Sequence, residues 1–111
     1  MSRDSELYLQ DIDEACAQIL SWTHGMDLAA FRADERTVAA VERNLLRIGE
    51  AAKKLPPHIT ARAPQIEWRK IAGLRDVLAH AYFAVDVEIV WNVVESKIPT
   101  LAEAVRRLRS D

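Results

Sequence analysis

Val38, Val41, Leu45, Ile48, Ala52 and Leu55 recur at spacings of 3, 4, 3, 4 and 3. At 3.6 residues per turn, side chains so spaced fall into one stripe along a helix. Such a stripe is stable in water only when other apolar elements cover it, so this segment predicts a helical bundle. Glu42, Arg43, Arg47, Glu50, Lys53 and Lys54 fall on the opposite, solvated side. The same periodicity returns in Leu9, Ile12, Cys16 and Ile19, and again in Val87, Val90, Trp91, Val94, Ile98, Leu101, Val105 and Leu108. Nothing alternates with the two-residue period of a strand, and no internal repeat or low-complexity segment is present.

Turn and cap residues divide these stripes. "WTHGMD" ends the first on a glycine turn, Asp27 caps a short turn of helix at "LAAF", and Asp34 offers a second N-cap. Pro56 and Pro57 stop the central helix, leaving room for one helical turn before Pro64. Ile66, Trp68, Ile71, Leu74 and Leu78 give an apolar face through residues 66–80, and Asp86 caps the last helix. Pro99 lies inside that last pattern and predicts a kink or local break. The expectation is an all-α, antiparallel bundle of four to five helices, as a single domain over residues 1–111.

Composition narrows the function classes. The net charge of −2 gives no global basic field, so any RNA contact must come from a local patch or from an oligomer. The single cysteine, Cys16, excludes an intrachain disulfide, suits a reducing compartment, and reads as a small core residue. No apolar run approaches the roughly 18 residues of a membrane span, and the polar start "MSRDSELYLQ" is no signal peptide. These features predict a soluble, cytoplasmic protein with no membrane association. No His or Cys pair has metal-ligand spacing, and there is no Gly-rich phosphate loop, so neither a metal nor a cofactor is expected. His24 and His58 sit in turn segments.

"RDVLAHAY", residues 75–82, is the exception to a mostly apolar region. On one regular helix Arg75 and Tyr82 share a face, while His80 points about 140° away from Arg75. A helix end near Ala79–Tyr82, or a second copy of the chain, would bring the groups together. RNA cleavage by the ribose 2′-hydroxyl gains from one general base and one general acid, and an imidazole titrates in the right range for either. An arginine adds a charge-assisted clamp on the phosphate. A two-fold dimer would supply two His and two Arg to one cleft. On residue types alone, the commoner arrangement is an Arg paired with a surface carboxylate such as Asp76 or Glu67, and a His and Tyr satisfied at a helix end.

A family resemblance bears on that choice. "RDVLAHAY" resembles the Arg-x4-His-x-Tyr motif of HepT-like toxins, a branch of the HEPN superfamily. "AVERNLLRIGEAAKKL" (40–55) is similar to that family's second helix. "IEWRKIAGLRDVLAHAYFAVDVEIVW" (66–91) is similar to its Trp-led motif segment and Asp-led final helix, and "IPTL" also fits. The resemblance implies a metal-independent endoribonuclease toxin of a type VII toxin-antitoxin system. It implies a homodimer with Arg75 and His80 at a cleft on the two-fold axis. It also implies an MntA-type nucleotidyltransferase antitoxin that transfers AMP to the motif tyrosine, here Tyr82. Asp76 stands where the family often has Asn, and Ala81 where it often has Gly. Asp76 would add a carboxylate able to pair with Arg75, and Glu50, in "IGEA", would orient Arg75 or His80. Arg43, Arg47, Lys54, Arg69 and Lys70 are the candidate RNA contacts. The alternative reading is a non-catalytic helical module that binds the nucleotidyltransferase and is AMPylated by it.

Overall fold

The computed structural model describes residues 1–79 and 86–110, and among them every regular element is helical. The helices are α1 (Arg3–Thr23), α2 (Leu28–Ala33), α3 (Glu35–Lys53), α4 (Pro57–Thr60), α5 (Trp68–Ala72), α6 (Leu74–Ala79), α7 (Val87–Ser96) and α8 (Ile98–Ser110). The expected caps form. Asp27 accepts from the Ala30 N–H at 2.8 Å, Asp34 from Thr37 at 3.1 Å, and Asp86 from Glu88 at 3.0 Å. Each satisfies a donor that a helix start leaves without an intrahelical partner. The two Thr37 hydrogen bonds also hold the Asp34 carboxyl below its usual range.

The central stripe does what its spacing demands. Val38, Val41, Leu45, Ile48, Ala52 and Leu55 are all buried, and α3 packs against α1, α2, α5 and α6. α1 and α3 run antiparallel: Asn44 reaches Ala15 and Gln18, while Arg47, one turn on, reaches back to Asp11 and Glu14. α8 closes the bundle against α1 and α7, with Leu101, Val105 and Leu108 buried. Phe31 of α2 lies 5.0 Å from the Trp91 ring of α7. Cys16 is fully buried, and burial first, then the nearby Asp13 charge, pushes its thiol up to about 12. It is a core residue, as expected, and no nucleophile at neutral pH.

Two continuous patterns divide. The apolar face of residues 66–80 becomes α5 and α6, which meet at Gly73; Ile66, Ile71, Leu74 and Leu78 are nonetheless buried. The Trp68 indole N–H, positioned at the start of α5, donates to the Thr60 and Ala63 carbonyls, both at 3.1 Å. The last pattern breaks at Lys97, between α7 and α8, because Pro99 offers no N–H to the Glu95 carbonyl four residues back. No helix among the described residues is long and apolar enough to cross a membrane.

Candidate active site

Arg75 lies in the first turn of α6, and a missing side chain on α3 brings it there. A Cβ on Gly49 would stand 3.3 Å from the Ile71 carbonyl oxygen and 3.5 Å from both the Ala72 oxygen and the Arg75 nitrogen. With only a hydrogen at that point, α3 and the α5–α6 backbone approach closely. Glu50, the next residue, then reaches across, and Arg75 Nη1 donates to Glu50 Oε1 at 3.0 Å. The side chains are 59% and 45% exposed. An ion pair so open to water is worth about 0.2–1 kcal/mol, so the guanidinium is weakly held and open to solvent.

The pair borders an open cleft of about 250 Å³, lined among others by Glu50, Lys53, Arg69, Gly73, Arg75 and Asp76. Arg75 therefore takes Glu50 as its carboxylate. Glu67 is engaged elsewhere, by Lys70 at 2.9 Å and Lys97 at 3.7 Å, and Lys70 foremost draws its carboxyl below the usual range. Asp76 lines the same cleft and, among the described residues, makes no ion pair. His80 and Tyr82 lie outside the described residues, as does the expected convergence of the motif's three polar groups.

Of the five candidate RNA-contacting cations, several have partners outside the cleft. Arg47 Nη2 binds Asp11 at 3.1 Å and Glu14 at 2.8 Å. Hydrogen bonds from Gln10 and then Arg47 lower the Glu14 carboxyl, and those same acidic partners raise the Arg47 guanidinium. Lys54 Nζ sits 5.6 Å from the Tyr8 ring centroid, so it also leans toward α1. Lys70 is paired with Glu67. Arg43 is exposed on the outer face of α3, and Arg69 alone of the five lines the cleft beside Arg75. Sequence reasoning assigned Lys53 only to the solvated side of α3. Its spacing of three from Glu50 was the available signal, because that step keeps it on the edge of α3 nearest α5.

The family model described as "Ribonuclease HepT-like" matches residues 12–108, a span that contains Arg75, His80 and Tyr82. The chain belongs to this family. A HepT-like relative from Thermococcus cleftensis, named "Probable ribonuclease HepT", is 41% identical over 109 residues, covering 98% of this chain and 99% of that protein. "Putative RNase MJ0127" of Methanocaldococcus jannaschii is 37% identical over 109 residues, covering 98% of this chain and 90% of its own. No solved structure matches. In this HepT-like chain the cleft carries the Arg75 guanidinium and two further cations, while no three His, Cys, Asp or Glu among the described residues gather as a metal-binding group.

Proposed function

We propose that the chain is an endoribonuclease that cuts RNA without a metal ion and acts as the toxin of a type VII toxin-antitoxin pair. Membership of the HepT-like ribonuclease family, through a match that spans the motif, carries this reading. In the reaction a ribose 2′-oxygen bonds to the adjacent phosphorus, the 5′-oxygen of the next nucleotide leaves, and a 2′,3′-cyclic phosphate remains. One base takes the 2′-hydroxyl proton and one acid returns a proton to the leaving oxygen. His80 from each of two copies fills these roles across a two-fold axis, and Arg75 stabilises the charge that develops on the phosphate. The exposure of Arg75 supports that role, since a buried guanidinium would be closed to RNA.

Tyr82 is the handle for neutralisation by a nucleotidyltransferase of the MntA type. Its phenolic oxygen bonds to the α-phosphorus of ATP, pyrophosphate leaves, and the phenolic proton passes to solvent. AMP two positions from His80 then excludes RNA by bulk and by like charge. Intact-protein mass spectrometry with RNA cleavage, before and after treatment with the partner enzyme and ATP, tests this. Wild type is expected to gain mass in multiples of AMP and to lose cleavage, while Tyr82→Phe gains none and keeps cutting. Equal modification of Tyr82→Phe would overturn the assignment. The second reading, a non-catalytic AMP-accepting module, is favoured by one observation, the Glu50 carboxylate on Arg75. Protein that accepts AMP and never cuts RNA would establish it.

A further inference from the structure

We infer that the cleft between α3 and α5–α6 is a second phosphate-binding subsite, in which Lys53 and Arg69 hold the RNA backbone beside the phosphate that Arg75 clamps. The assignment rests on the ribonuclease reading; it adds Lys53 and joins it to Arg69, already a candidate RNA contact, in one subsite. Lys53 and Arg69 line the same cleft as Arg75, one from α3 and one from α5, and both are exposed. Among the described residues neither makes an ion pair, whereas Arg47, Lys70, Lys97, Arg107 and Arg109 are all bound to carboxylates. The two cations thus keep their charge for a ligand in a chain whose net charge is −2.

The cleft composition selects the ligand class. Three cations face two carboxylates, Glu50 and Asp76, and Glu50 is already neutralised by Arg75. With Glu50 and Arg75 paired, Lys53 and Arg69 against Asp76 leave a net positive charge in the open cleft, suited to a chain of single negative charges. Among the described residues, its only uncharged lining residues are Ala72 and Gly73, so no aromatic or large apolar side chain stands there to stack a base. Backbone phosphates of single-stranded RNA fit that description, and contacts of this kind position the strand without reading its sequence.

Salt dependence of binding tests the subsite independently of catalysis. The probe is a fluorescent single-stranded DNA oligonucleotide, which carries the same phosphates and lacks the 2′-hydroxyl needed for cleavage. For single strands the logarithm of affinity falls with slope of about −0.7 per neutralised phosphate. Lys53→Ala with Arg69→Ala is expected to make the slope shallower by about 1.4 and to weaken low-salt binding on the order of tenfold. Lys53→Arg with Arg69→Lys keeps the wild-type slope, and so does Arg106→Ala, a cation on α8 that lines no part of the cleft. On RNA, the double alanine variant raises KM while kcat holds within about twofold. An unchanged slope in the double alanine variant, or an equal change in Arg106→Ala, would overturn the subsite. Either result leaves the ribonuclease reading standing if wild type cuts RNA. A wild type that cuts nothing, with the slope change intact, removes the nuclease and keeps the cleft.

Discussion

Arg75 meets its carboxylate 25 positions back in the chain, in Glu50 rather than in the adjacent Asp76. That choice decides what the arginine can do. A neighbouring carboxylate would follow it wherever α6 goes, whereas Glu50 belongs to α3 and meets it only across the cleft. Because the pair is solvent-exposed, Glu50→Gln is expected to change stability by no more than about 0.5 kcal/mol. It should tighten binding of single-stranded DNA several-fold by removing a negative charge from the cleft; fluorescence anisotropy reads this. Weaker binding in Glu50→Gln would mean that the carboxylate positions Arg75 for phosphate instead of competing with it. The buried apolar residues were legible from spacing alone, since Val38 to Leu55 had only one side on which to lie. Asn44 was not. It is 7% exposed next to Leu45, and it donates to the Gln18 side chain at 2.9 Å, a partnership that depends on which helix packs there.

At the scale of elements, single residues with special backbones set where helices stop and how near they come. Pro99 announced its break, because a missing N–H and a rigid ring act locally. Gly73 did not, since glycine within a helical pattern usually costs only about 1 kcal/mol and is tolerated. Gly49 was hidden for a different reason: its role is a contact with Ile71, 22 positions along the chain, and not a turn. Gly49→Val is expected to force α3 and α5 apart, because even its first carbon would press on the Ile71 carbonyl at 3.3 Å. The cost should be about 1–3 kcal/mol, measured by urea unfolding. RNA cleavage at temperatures where the variant is folded should fall as Glu50 and Arg75 separate. A Gly49→Val protein as stable and as active as wild type would show that this close approach does not seat the site.

Across the whole molecule, charge is unevenly placed: in an acidic chain, one cleft is lined by three cations and two carboxylates. Asp11, Glu14, Glu67, Glu103 and Asp13 each neutralise a basic side chain away from the cleft. Net charge therefore understates what RNA would meet, and composition alone could not reveal it. The bundle was readable from three apolar stripes. The candidate site was readable only as residue types in order, because its shape depends on α3 meeting α5 and α6. The central claim is that Arg75 and His80 cut RNA by 2′-hydroxyl chemistry. Its most direct test is cleavage of a defined single-stranded RNA in excess EDTA by wild type, Arg75→Ala and His80→Ala, each verified as folded by circular dichroism. Wild type is expected to cut and leave 2′,3′-cyclic phosphate ends, with His80→Ala slower by about 10²–10⁴-fold, the usual contribution of a general acid or base, and Arg75→Ala also strongly impaired. Wild-type rates in both variants, or cleavage that EDTA abolishes, would contradict it.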